Sequence, residues 1–443
     1  MNTPESAILS RGQSILSAMS EQKVSLFSKD YWYGSIMEWS MKNPTFKTQM
    51  FRFVDVLPTL SSADSVTKHI EEYFADPKTG ELPKVFGVGL GLGKLLPSLM
   101  AKTIKSNVTQ MAKMFIVGEN PADTLKNLRE IREKKGLTFT VDILGEVTLS
   151  EKEALAYQAQ YLELMDALAK EASQFKPNPL LDQDHEGPIP RVNISVKLTA
   201  LSSQISELAW EATKAQLKER LRPLFRKAMQ LGVFLNLDME HYSVKNLTLE
   251  VFKEMLLEPE FRSYPHWGCV IQAYLKDSYS DLESLVSFAK QRGTPFTVRL
   301  VKGAYWDTEI IEAKQKLWPI PVFEHKWETD ANYEECSKLL LEHFPHIRVA
   351  FASHNVRSIS FALETAKNLG VPSAAIEVQM LYGMADPIKK ALLQQGVRVR
   401  EYCPMGEMLP GMSYLVRRLL ENTSNESWLR GKFAEGRSSE ELL

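Results

Sequence analysis

Tyr414, Arg417, Arg418 and Glu421 stand at i, i+3, i+4 and i+7, so a helix would stack them as one polar stripe. Leu415, Val416, Leu419 and Leu420 form an apolar face beside that stripe. Two adjacent guanidiniums on a helix otherwise wedged into a core point to an anion gripped by both. The bland alternative is a solvated face or an ion-pair lattice. Tyr414 on the same stripe and Tyr402 at the end of the preceding strand weigh toward a ligand site.

Other side chains able to do chemistry fall at the ends of short β-rich runs. Asp142 and Glu146 close the first run, Lys197 the second, and Asp238 with Glu240 the third. Gln272 lies on the fourth. The fifth carries Arg299 and then Lys302-Gly303-Ala304-Tyr305-Trp306. Ser353-His354-Asn355 follow the sixth, Gln379 and Leu381 the seventh, and Tyr402 ends the eighth. Each has a plain alternative: Asp142 as a helix N-cap, Lys197 as a snorkelling surface lysine, His354 as a satisfied core histidine. Their coincidence at successive strand ends is the stronger signal. In LVKGAYWD, Gly303 and Ala304 would let backbone N–H groups approach a phosphate, Lys302 adds positive charge, and Tyr305 and Trp306 offer planar surfaces. The pocket suits an anionic substrate and a large aromatic cofactor.

The elements that must position these residues follow from the texture of the chain. Residues 1–125 read as helical, with patterns through YWYGSIMEWSMKNPTFKTQMFRFVDVL, Ser65–Phe74, Leu95–Phe115 and Ala122–Lys135. The glycine-rich Phe86–Lys94 fails G-x-x-x-x-G-K-[ST], because Val88 and Leu95 occupy the glycine and hydroxyl positions, and fails G-x-G-x-x-G, because neither register ends on Gly. It reads as a connector. From residue 137, eight strands are expected: Thr138–Leu144, Val192–Leu198, Phe234–Asp238, Cys269–Ala273, Phe296–Val301, Val349–Ser353, Ala375–Gln379 and Val397–Tyr402. Helical segments separate them, so a closed α/β barrel of (β/α)8, TIM-like type fits better than an open sheet. Lys176–Pro190 reads as a Pro-rich loop and Trp318–Lys326 as an insertion after the fifth strand.

Composition bounds the rest. The 443 residues are 44% hydrophobic and 24% charged, enough to fill a sizeable core. A net charge of −2 gives no footprint of a general nucleic-acid binder. Cys269, Cys336 and Cys403 are widely spaced, so a disulfide framework or thiolate zinc site is not expected, and a reducing, cytoplasmic setting is. The eight histidines make no H-x-x-x-H or H-x-H pair, and no metal site is expected. The N-terminus has no secretory pattern and no apolar run reaches the ~20 residues of a membrane span, so any membrane contact would be peripheral.

In VDILGE, ISVKLTAL, LDMEHY, RLVKGAYWD, ASHNVRS, EVQMLYGM and YLVRRLLEN, in this order over about residues 137–430, the chain resembles the proline dehydrogenase family. The likeness is to the flavin-dependent half of the bacterial bifunctional proline utilization A enzymes, and the N-terminal region resembles their helical arm and helical domain. The resemblance implies a helical arm and domain over residues 1–125, an FAD-binding barrel over 126–430 and a tail over 431–443. It implies non-covalent FAD, oxidation of L-proline to Δ1-pyrroline-5-carboxylate, and electrons passed to a membrane quinone at the inner face of a bacterial membrane.

By that resemblance, Arg417, Arg418 and Lys197 hold the proline carboxylate, Glu146 ion-pairs with this cluster beside Asp142, and Tyr305, Leu381, Tyr402 and Tyr414 wall the ring. Asp238, Gln272 and Arg299 flank the isoalloxazine, with Arg299 near its N5. Lys302, Gly303, Ala304, Trp306, Thr329, Ser353, His354, Asn355 and Glu421 contact the rest of the cofactor. The aldehyde dehydrogenase half is missing after GRSSEELL, so the expectation is either a monofunctional enzyme or the first half of a longer one, with an aldehyde dehydrogenase domain or enzyme taking the product onward. No basic DNA-binding segment precedes the helices, and no repressor role is expected. A barrel lyase or aldolase using Lys197 or Lys302 as a Schiff-base amine is the competing reading.

Overall fold

The computed structural model describes residues 3–20, 62–74, 113–145, 148–407 and 443, with single positions between 49 and 60. Eight parallel strands close into a barrel: β1 Thr138–Ile143, β2 Asn193–Val196, β3 Phe234–Leu237, β4 Trp267–Gln272, β5 Thr297–Val301, β6 Arg348–Ala352, β7 Glu377–Leu381 and β8 Arg398–Met405. Each pairs with its sequence neighbour, and β1 pairs with β8 to complete the ring. All eight expected strands are present. β7 starts two residues later than expected and β8 runs three residues further.

Helices α1 Glu5–Ser20, α2 Ala63–Phe74 and α3 Pro121–Glu133 precede the barrel. Around it lie α4 Glu151–Ala172, α5 Trp210–Leu231, α6 Tyr242–Leu257, α7 Ser278–Arg292, α8 Trp306–Lys316, α9 Lys326–Glu342, α10 Val356–Asn368 and α11 Asp386–Gln394. Local chemistry starts several of them. Asn120 accepts the Asp123 N–H at 3.0 Å ahead of Pro121, and Ser150 accepts the Glu153 N–H at 3.2 Å while Glu153 reaches back to the Leu149 N–H at 2.9 Å. The segment Lys176–Pro190, expected as a loop, holds a helical turn at Pro179–Asp182 and an antiparallel ribbon of Gln183–Asp184 with Gly187–Pro188. Residues 86–94 lie outside the described residues.

Strand alternation sorts the side chains. Outward positions such as Phe139, Val141, Leu235, Leu237, Val298, Leu300, Phe351 and Val378 pack under the helices in one continuous core. Trp267 joins it, stacked on Phe225 at 4.2 Å, with its indole N–H donated to the Phe261 carbonyl at 3.1 Å.

The inward set is unusually polar. Barrels of this type commonly fill the interior with aliphatic layers; here Arg299 of β5 reaches Ser195 of β2 and Asp238 just past β3, and Tyr402 of β8 also reaches Asp238. None of these strand pairs is adjacent, so the bonds cross the lumen. Gly268 makes room for them, since a Cβ there would lie 2.4 Å from Asn236 Oδ1. Deeper, Arg400 makes a two-pronged bond to Glu377 at 2.6 and 2.8 Å and donates to the Phe139 carbonyl at 2.5 Å. Burial would raise the Glu377 pKa, but Arg400 outweighs it and holds it down at about 2, from an ordinary 4.5. This contribution to stability is present above pH 4.5 and is lost as pH falls toward 2. Arg400→Met is expected to cost about 3–5 kcal/mol in urea unfolding, because Glu377 loses its main counter-ion in a dry site. A loss below about 1 kcal/mol would mean that the lumen is wet.

α1 lies against α10 and α11. Ile8, Ile15, Leu16 and Met19 are buried, Arg11 donates to Glu364 at 2.7 Å and Gln395 at 2.9 Å, and Arg357 donates to Glu5 at 2.5 Å.

Candidate functional site

A cavity of about 300 Å³ opens at the C-terminal ends of the strands. Fourteen of the residues singled out above line it: Asp142, Lys197, Asp238, Gln272, Arg299, Lys302, Gly303, Ala304, Tyr305, Ser353, His354, Gln379, Leu381 and Tyr402. Met239, Val270, Val301, Ala352 and Met380 complete the wall. Glu146, Tyr414, Arg417, Arg418 and Glu421 lie outside the described residues.

Three charge groupings organise the cavity. Asp142, at the top of β1, is paired with Lys197 just past β2. Burial works against the Lys197 charge, but Asp142 and Asp238 overcome it and hold its pKa above the usual lysine value. Lys197 is therefore a fixed ammonium, with N–H bonds to spare beyond the one given to Asp142. Asp142 is a strand residue and caps no helix.

The second grouping is the cross-lumen set. Arg299 Nη1 donates to Asp238 Oδ1 at 2.6 Å, Tyr402 donates to Asp238 Oδ2 at 2.8 Å, and the guanidinium carbon sits 5.4 Å from the Tyr402 ring centre. Asn236 donates to Asp238 Oδ1 at 2.9 Å.

In the third, Lys302 pairs with Asp330 of α9, which also accepts from Lys326 at 2.8 Å. Burial and Lys326 pull Lys302 down to about 8 against the opposite pull of Asp330. Although burial opposes it, the two ammonium groups keep Asp330 below the ordinary carboxylate value.

The remaining wall is fixed by contacts between strand ends. His354 Nε2 accepts the Leu381 N–H at 3.1 Å, tying the loop after β6 to the end of β7. Ser353 Oγ accepts the Asn355 N–H at 3.0 Å. Tyr305 lies on His241 with ring centres 4.4 Å apart. Gly303 has a local reason to be glycine: φ is +131° and a Cβ would lie 2.4 Å from the Tyr274 ring. Its small size serves this packing, whatever its N–H group contacts.

Three of the candidate residues do not line the cavity. Trp306 opens α8 and donates its indole N–H to Phe323 at 2.8 Å. Thr329 is buried on α9, and Asn355 caps α10 by accepting the Ser358 N–H at 3.1 Å. Sequence reading passed over Thr140, Ser195, Asn236 and Asp330. The first three are polar residues at inward strand positions, and an alternation check on each strand would have found them.

Gln272 Oε1, Gln379 Oε1 and Arg299 Nε are buried without a partner among the described residues. Buried polar atoms are normally satisfied, so these are candidate contacts for a ligand or ordered water. With Val270, Val301 and Met380 beside them, they fit a flat ring system that is apolar on its faces and polar at its edges.

Residues 124–431 match the family model for Proline dehydrogenase, and residues 5–115 match that for the Proline utilization A N-terminal domain. The bifunctional protein PutA of Escherichia coli (strain K12) is 32% identical over 347 residues, covering 76% of this chain and 25% of its own length. Proline dehydrogenase 1 of Bacillus subtilis (strain 168) is 28% identical over 332 residues, 74% of this chain and 93% of its own. The crystal structure of PutA from Bdellovibrio bacteriovorus inactivated by N-propargylglycine superposes with a TM-score of 0.91 at 59% identity, over 99% of this chain and 44% of that one. The chain spans about a quarter of the length of the PutA relatives among the curated proteins.

Proposed function

The chain belongs to the proline dehydrogenase family, and from that we propose that it oxidises L-proline to Δ1-pyrroline-5-carboxylate with non-covalent FAD, passing electrons to a membrane quinone. The observation that carries this reading is the strand-end cavity, which sets the fixed Lys197 ammonium and the buried Arg299 guanidinium around an apolar wall.

Lys197 would take the substrate carboxylate, joined by Arg417 and Arg418 as the resemblance implies. Tyr305, Leu381 and Tyr402 would wall the ring and keep water out. Gln272 and Arg299 would hold the isoalloxazine by the polar atoms that lack partners among the described residues, while Lys302 would face the negative part of the cofactor. FAD bound there would supply a two-electron acceptor, at its N5, for the hydride leaving proline C5, while the amine proton would go to solvent and a C=N bond would remain between N and C5. Gripping the carboxylate fixes C5, so the transfer becomes effectively intramolecular. No helix among the described residues is long and apolar enough to cross a membrane, and delivery of electrons to a quinone would take place from the membrane surface.

A Schiff-base reading draws on one observation, the depressed pKa of Lys302 at about 8. Lys197 does not suit it, because a paired ammonium is a poor nucleophile. The visible spectrum separates the two. Purified protein supplied with FAD is expected to show flavin bands that bleach when L-proline is added without oxygen. A protein that takes up no FAD, and from which borohydride traps substrate on a lysine, would establish the lyase reading in its place.

A further inference from the structure

Arg299 is 5% exposed, and its two terminal nitrogens are held by different strands. Nη1 goes to Asp238 just past β3 at 2.6 Å, and Nη2 donates to Ser195 Oγ on β2 at 3.0 Å. Ser195 Oγ in turn lies 3.2 Å from Thr140 Oγ1 on β1, and both hydroxyl residues are fully buried. Nε, on a residue that lines the cavity, has no partner among the described residues. A guanidinium is planar, so anchoring two nitrogens at separate points sets the direction of the third.

Packing alone does not account for the hydroxyl pair. Aliphatic side chains usually fill such layers, and a hydroxyl buried this deep is unfavourable unless it is hydrogen-bonded. Ser195 satisfies Arg299 Nη2, and Thr140 satisfies Ser195, so the pair ends in the guanidinium.

We propose that Ser195, backed by Thr140, is a positioning residue of the redox step: it holds the plane of Arg299 so that Nε–H is kept for the atom of the isoalloxazine that gains negative charge on reduction. This rests on the FAD-dependent reading above. Ser195 touches neither substrate nor cofactor and acts through Arg299.

The test compares Ser195→Ala, Ser195→Thr and Thr140→Val with the parent chain, each loaded with FAD. Flavin content, flavin midpoint potential by anaerobic titration, and kcat and KM for L-proline are measured. Ser195→Ala is expected to shift the flavin equilibrium about tenfold toward the oxidised form, about 30 mV lower for a two-electron couple. Its kcat should fall in step with KM unchanged. Thr140→Val should move the same way by less, and Ser195→Thr, which keeps the hydroxyl, should match the parent. A flavin-loaded Ser195→Ala protein at the parental potential overturns the proposal, as does a Ser195→Thr shift as large as that of Ser195→Ala. If Ser195→Ala fails to fold, an unchanged potential in Thr140→Val overturns it. A parent chain that takes up no FAD removes the functional reading itself, a result distinct from normal flavin with an unmoved potential.

Discussion

With methionine in place of Arg299, reduction of the bound flavin by L-proline is expected to slow about 10²–10³-fold, the size of effect seen when a preorganised donor to developing charge is removed. The wild-type guanidinium is held in place by Asp238 at 2.6 Å and Ser195 at 3.0 Å, so it needs little reorganisation at the moment of transfer. Methionine keeps much of the apolar stem and removes every N–H. Asp238 then loses its ion pair but keeps the hydrogen bonds from Asn236 and Tyr402, which should preserve the fold at reduced stability. Arg299→Lys is expected to recover only part of the rate, because one ammonium cannot meet Asp238 and Ser195 and still present a third donor in the same plane. Stopped-flow bleaching at saturating proline reads the step directly. A rate within threefold of the parent's would take Arg299 out of the redox chemistry.

The second large effect is expected on substrate binding. Lys197→Met should raise the KM for L-proline about a hundredfold with flavin content intact, as expected when one partner of a buried charged contact is truncated. Part of any loss would come from Asp142, left buried without its ammonium. The double variant Lys197→Met with Asp142→Asn removes that charge, so a KM still high in the double variant belongs to the carboxylate contact. The pH dependence carries a sign as well. Because Asp142 and Asp238 keep Lys197 above its ordinary pKa in spite of burial, the ammonium persists through pH values where an exposed lysine begins to discharge. The parent's KM should therefore not climb on this account up to about pH 10. Saturation curves that coincide for parent and variant would end the carboxylate assignment.

Much of the barrel was legible because each strand is a short β-rich run between helical patterns, and the outward residues supply the apolar half of every run. The errors sit where a tertiary partner decides. Glu377 looks unlike the start of a buried strand, yet β7 begins there because Arg400 of β8 neutralises it. Ala375, the expected first residue, belongs instead to a short turn, Ser373–Ala375. The eighth strand was expected to end at Tyr402, yet β8 runs on through Pro404 to Met405, although β7 pairs with it only as far as Tyr402. Beyond that point the strand is flanked by β1, where a missing N–H can be tolerated.

The site divides in the same way. Residues at strand ends, such as Asp142, Lys197, Asp238 and Tyr402, could be read as a ring because a barrel gathers its strand ends at one face. Alternation could have set Thr140, Ser195 and Asn236 facing the lumen but not named their partners, since small polar residues within strands carry no sign of what lies across it. Asp330 was hidden for another reason: it comes from a helix after the insertion, and only the fold brings it to Lys302.

The clasp of α1 on α10 and α11 bears on how the molecule assembles. Arg11 meets Glu364 across 353 positions and Gln395 across 384. Because α1 is made before the barrel, it has no docking surface on α10 and α11 until nearly the whole barrel sequence has been made. Contacts of such long sequence separation are slow to form, and exposed apolar faces invite association while they wait. Ile8, Ile15, Leu16 and Met19 are such a face, so α1 should be the last piece to seat during biosynthesis and the stretch most in need of a chaperone until then.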